Sequence, residues 1–195
     1  MADLIKAFKE AIHPSLLLAP DKGNIRIVET GAQATNREYK IRANLPHVAF
    51  TLDKKRARGA GHPVFPALND ACVGVCSVAD SVVVCRDKDN EERQCAFIVE
   101  LKSSKPGTAT KQIRSSKAFV AWVMELLSIH HGFRDPLPCY GLIVTARKTP
   151  LKGTSRVEKL RFTTCGTGPA KLLVAEWDHG TPLFLTQMLA AALDA

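Results

Sequence analysis

The stretch FIVELK, residues 97–102, constrains this chain more than any other. Phe97, Ile98, Val99 and Leu101 read as the middle of a buried strand, yet Glu100 and Lys102 interrupt it. Side chains two apart on a strand share a face. Glu100 and Lys102 therefore lie on one face, and Phe97, Val99 and Leu101 on the other. A fold that accepts this strand must cover the second face with core and hold two opposite charges on the first. Two readings compete. One is an edge hairpin that shows an ordinary Glu–Lys–Asp cluster to water. The other is a reactive site.

The segment before it favours the second reading. ACVGVCSVADSVVVCR, residues 71–86, reads as a long strand-like run around Asp80, and DKDNEE, residues 87–92, as a polar turn. A hairpin folded about Asn90 sets Asp80 opposite Glu100. Opposed residues in a hairpin present their side chains on the same face, with Cβ atoms roughly 5 Å apart. Asp80, Glu100 and Lys102 then converge on one patch. Two carboxylates that close repel each other, and a cation between them removes the conflict. Oxygen ligands favour a hard ion, Mg²⁺ or Mn²⁺. Such an ion polarises a phosphodiester and lowers the pKa of water. Lys102 beside it suits either stabilising the developing phosphorane charge or holding and helping deprotonate the attacking water.

The rest of the chain reads as a mixed sheet with helices. ADLIKAFKEAIHPSLL is an amphipathic helix limited by Pro14. NIRIVETG, REYKIRANL and HVAFTL are short strands. From Ala109 to His131 the apolar period turns helical, with Ile113, Val120, Val123, Met124 and Leu127 on one stripe and Gly132 at the capping position. CYGLIVTAR is a strand, and VEKLRFTTCG and KLLVAEWDH are a further pair. PLFLTQMLAAALDA closes with a helix whose first position suits Pro182. The expected class is α/β, with a central mixed β-sheet flanked by helices.

Asp80, nineteen residues, and then Glu100-Leu101-Lys102 resembles the signature of the PD-(D/E)XK phosphodiesterase superfamily, the restriction endonuclease-like fold. The resemblance spans about residues 70–150, including the long helix and the strand after it. It implies a restriction endonuclease-like core there. The length of 195 residues suggests a single domain, 1–195, in which a helix and strand extension over 1–69 precedes that core and strands and a helix over 151–195 follow it. The resemblance also implies that Asp80 and Glu100 hold a divalent metal, Mg²⁺ or Mn²⁺, that the Leu101 carbonyl completes the site, and that Lys102 is catalytic. Ala79 stands where the signature has proline. Some nuclease branches carry a glutamine on the helix, with a tyrosine four residues later. Gln112 is suitably placed as a site neighbour, but Ser116 stands at the tyrosine position. Glu29 and Glu38 are both candidates for an extra N-terminal acid.

The expected activity is metal-dependent hydrolysis of nucleic acid, DNA in preference to RNA. The alternative is a non-catalytic nucleic-acid- or protein-binding module on the same fold. The charge balance fits either, because 27 Lys and Arg against 19 Asp and Glu leave a net +8, and such a field attracts polyanions. Lys54, Lys55, Arg56 and Arg58 form a basic loop without apolar anchors, and Lys105, Lys111, Arg114 and Lys117 follow the ELK strand. As a phosphate-gripping surface these cations would serve binding; otherwise they are solvated charge. His130 and His131 favour the helix dipole at its C-terminal end rather than a metal. Six cysteines without a CxxC pair suggest free, buried thiols in a reducing compartment. No run has the apolar length of a membrane helix, and the N-terminus lacks the layout of a signal peptide. A cytoplasmic protein without a membrane partner is expected. A two-fold homodimer is compatible with cutting both strands of a duplex.

Overall fold

The computed structural model describes residues 3–29, 38–53, 65, 68–69, 71–102, 108–145, 159–166 and 171–195. It is an α/β structure of two mixed sheets flanked by helices. The larger sheet has six strands: β3 (His47–Phe50), β4 (Ser81–Arg86), β5 (Gln94–Lys102), β6 (Cys139–Thr145), β8 (Leu172–Asp178) and β7 (Thr163–Cys165), in that spatial order. The β3, β4 and β5 strands form antiparallel neighbours, whereas β5, β6 and β8 run parallel and β7 returns antiparallel. The smaller sheet pairs β1 (Asn24–Val28) with β2 (Glu38–Arg42), and β2 with the two-residue β9 (Leu183–Phe184).

Alternation along the central strands splits the core. Val82, Val84, Ala96 and Ile98 pack with helices α1 (Leu4–Ala11) and α2 (Ala109–His131). Val83, Cys85, Phe97, Val99 and Leu101 face the opposite way, toward the small sheet and α3 (Leu185–Leu193). Strands buried on both faces cannot alternate polar and apolar residues, which is why β4 reads as a continuous SVVVC.

Connection of β5 to the parallel β6 needs a crossover, and α2 supplies it. The helix ends where Gly132 adopts φ 74°, the left-handed conformation that costs glycine nothing. It also approaches the sheet closely: a Cβ on Gly141 in β6 would stand 3.0 Å from Ile113 Cγ2. The Asp3 carboxylate caps α1 by accepting from Ile5 N at 3.0 Å.

Three expectations need correction. Residues 71–79 do not extend the strand before Asp80; 71–76 form turns and a bend, closed by bonds such as Val75 N to Cys72 O at 3.2 Å, and 77–79 are irregular. Their Val and Cys side chains have strand-like propensity, but among the described residues no strand pairs with them. Second, α3 begins at Leu185 and not at Pro182, because Leu183 is fully buried and pairs with Ile41 in the small sheet. Third, of the six free cysteines only Cys85 and Cys95 are fully buried, while Cys72 in the turn segment is exposed. Among the described residues no helix is long and apolar enough to cross a membrane.

Candidate active site

The ladder between β4 and β5 runs from Arg86↔Gln94 to Ser81↔Val99. One step further brings Asp80 level with Glu100, although Asp80 is a bend residue outside β4. A side-chain bond carries the register past the strand end: Leu101 N donates to Asp80 Oδ2 at 2.6 Å. Ala96 and Ile98 face the helices, so the same alternation aims Glu100 and Lys102 toward α2. Asp80 is 4% exposed and Glu100 is 0% exposed.

Glu100 and Lys102 form an ion pair. Lys102 Nζ also donates to Gln112 Oε1 at 2.8 Å, so the first turns of α2 reach the charged end of β5. Gln112 spans two elements, because its Nε2 donates to Val78 O at 3.1 Å. Ser116 sits one turn further along α2 and accepts from Ala79 N at 2.9 Å. Thr51, just after β3, donates to Asp80 O at 2.8 Å. Helix α2 and the end of β3 therefore grip residues 78–80 from two sides and leave the Asp80 carboxylate to the site.

A second group of acids meets Asp80. Carboxylate oxygens of Glu29, Asp53 and Asp80 all lie within 4.8 Å of one another. Glu29 follows the end of β1, and Asp53 stands three residues beyond β3. Of the two N-terminal acids considered, Glu29 thus reaches the cluster. Glu38 does not; it pairs with Arg26 at 2.6 Å and with Lys40 at 3.5 Å on the exposed side of the small sheet.

This concentration of negative charge shifts the carboxyls. Burial, then the adjacent Glu100 charge, pushes Asp80 up to about 9; Glu29 and Asp53 add to the rise and the Leu101 N–H opposes it. Burial pushes Glu100 up to about 7 against the pull of the Lys102 ammonium. The Lys102 ammonium meets Glu100 Oε1 and the Asp80 main-chain N–H favours the charged form from nearby, while Oε2 has no well-formed hydrogen bond among the described residues. A buried carboxylate in that condition is costly unless a cation completes it. The donor set is all oxygen, and among the described residues four acids, Glu29, Asp53, Asp80 and Glu100, lie with Lys102. That combination fits a hard divalent ion.

The remaining cations divide. Lys54, Lys55, Arg56, Arg58 and Lys105 lie outside the described residues. Lys111 is exposed, and Arg114 and Lys117 are half-buried. At 3.6 residues per turn, Arg114 is rotated by about 200° around α2 from Gln112, and Lys111 by about 100°. His130 and His131 end α2 before the Gly132 cap, at the far end of the helix from Gln112. Asp53, Thr51 and Ser116 are site neighbours that the sequence reading did not single out as such. The one available signal was for Asp53, an acid immediately after an apolar strand and before a basic run.

Comparison with family models, with curated proteins and with solved structures found no match for this chain.

Proposed function

We propose that the chain is a metal-dependent nuclease that hydrolyses phosphodiester bonds of nucleic acid, DNA in preference to RNA, on a restriction endonuclease-like core. The reading rests on one observation. Asp80, Glu100 and Lys102 share a buried face at the end of the β4–β5 hairpin, where Lys102 meets Glu100 Oε1 and Oε2 has no well-formed hydrogen bond among the described residues. The elements that carry the family resemblance, the hairpin, α2 and the parallel β6, surround that face.

Asp80 and Glu100 would hold Mg²⁺ or Mn²⁺, with the Leu101 carbonyl beside them; Glu29 and Asp53 add negative charge on the Asp80 side. When bound, such an ion supplies charge that polarises a phosphodiester and lowers the pKa of water. The chain's own residues do the rest. Leu101 N–H holds one oxygen of Asp80 and so orients the other. Lys102 Nζ, paired with Glu100 and fixed by Gln112 Oε1, orients the attacking water and stabilises charge developing on the phosphorane oxygens. The net +8 charge of the chain draws the polyanionic substrate toward it.

Cleavage of plasmid, linear duplex, single-stranded DNA and RNA by the purified chain, with and without Mg²⁺ or Mn²⁺, tests this. Metal-dependent cutting that disappears in Glu100→Ala and Lys102→Ala supports the reading. Cutting that needs no metal or survives those changes refutes it. Salt-sensitive binding with no cutting of any substrate would make the chain a non-catalytic binding module.

A further inference from the structure

Helix α2 buries Ile113, Val120, Val123 and Leu127 against the large sheet. Its opposite face is not the polar surface expected of an amphipathic helix. Trp122 is 57% exposed, Ile129 65% and Leu126 37%. The outward line runs Lys111, Ser115, Ala118, Trp122, Glu125 and Ile129, with spacings of four and three residues. Such a stripe forms a seam for a second helix. It extends about 27 Å along the axis.

Charge on this face is polar along the helix. Lys111 and Arg114 stand in its N-terminal half, and Glu125, the single acid of α2, in the C-terminal half. Among the described residues none of these three makes an ion pair within the chain. Size is also graded, with small Ala118 one turn before large Trp122.

We propose that this face pairs with the same face of a second copy, α2 against α2, antiparallel about a two-fold axis near Val120. That arrangement sets Trp122 over Ala118 of the other copy. It inserts Glu125 among Lys111, Arg114 and Ser115, and repeats both contacts by symmetry. It also opposes the two helix dipoles. A parallel pairing would place Trp122 on Trp122 and Glu125 on Glu125. Nucleic acid is the poorer occupant, because Glu125 stands between Trp122 and Ile129 on the stripe and the exposed side chains around it are apolar. The inference does not depend on the nuclease reading, and Gln112, which belongs to the active-site side of α2, takes no part in the seam.

The test is sedimentation equilibrium of the full chain over a wide concentration range. The wild type is expected to rise from 21.2 kDa toward twice that mass. Trp122→Ala at the centre of the seam should weaken association by about tenfold or more. Glu125→Lys alone, and Lys111→Glu with Arg114→Glu together, should each give a monomer. Mixing those two proteins should restore a dimer, since each then meets its complement, and restoration also shows that both are folded. A wild type that stays at 21.2 kDa throughout overturns the proposal. So does a dimer that persists undiminished in Trp122→Ala and Glu125→Lys, or a mixture that fails to associate.

Discussion

The main-chain N–H of Leu101 donates to Oδ2 of Asp80 at 2.6 Å, joining the middle of the ELK run to an acid that precedes it by twenty-one residues. Asp80 has already left the ladder when this bond forms, so its side chain and not its backbone holds it level with Glu100. The consequence is electrostatic. Two buried carboxyls are held together where burial opposes the ionisation of both and the Glu100 charge opposes that of Asp80 further.

That arrangement predicts an inverse pH dependence of stability in metal-free protein. The folded-state pKa values, about 9 for Asp80 and about 7 for Glu100, lie above those of an unfolded chain. The folded state therefore retains protons that the unfolded state has released. This contribution is fully present below about pH 4 and is lost as pH rises through about 7 and then about 9. Thermal unfolding in chelator should show Tm falling across that range. In Asp80→Asn/Glu100→Gln the fall should be largely abolished. Mg²⁺ or Mn²⁺ should raise the wild-type Tm, and more so at high pH, because the ion selects the ionised acids.

Lys102→Met should remove chemistry and spare substrate binding. The ammonium is held by Glu100 and Gln112. Its loss should lower the single-turnover cleavage rate by about 10²–10⁴-fold. Binding measured in Ca²⁺ should change little. Lys102→Arg should rescue poorly, since a planar guanidinium cannot reproduce one point donor between two acceptors.

Ser116→Ala tests the grip of α2 on residues 78–80. Ser116 is fully buried and satisfies Ala79 N–H at 2.9 Å. Without it that donor is left buried and unpaired, at a cost of about 1–3 kcal/mol. Urea unfolding should show a lower midpoint with an unchanged m-value. The metal concentration for half-maximal cleavage should rise while the plateau rate holds, because Thr51 and Gln112 still restrain the segment.

Gly141→Ala should destabilise the contact between α2 and the sheet. The added Cβ would meet Ile113 Cγ2 at 3.0 Å, Ile113 Cδ1 at 3.1 Å and Val174 Cγ2 at 3.2 Å. An overpacked site of this kind costs about 1–3 kcal/mol. Ile113→Ala in the same chain should recover part of that loss, so a double-mutant cycle of unfolding free energies should return a coupling well outside error.

Short-range features of the site were legible and its long-range partners were not. The polar turn at residues 87–92 fixes the hairpin register, and the period of two assigns Glu100 and Lys102 to one face. The helix was readable to its ends because Gly132 marks its stop. Residues 71–79 misled, since Val and Cys have the same propensity in a turn without a partner as in a strand. Nothing local distinguished Glu29 from Glu38. The difference arises because β1 and β2 form a separate sheet, which brings the end of β1 to Asp80 and leaves Glu38 beside Arg26 and Lys40. Asp53, Thr51 and Ser116 depend on the same non-local packing.

Anomalous diffraction from crystals soaked in Mn²⁺ tests the central claim most directly. The account predicts a peak between the Asp80 and Glu100 carboxylates, within coordination distance of both, that vanishes in Glu100→Gln crystals. No peak there at saturating Mn²⁺, or one undiminished by that substitution, would contradict it.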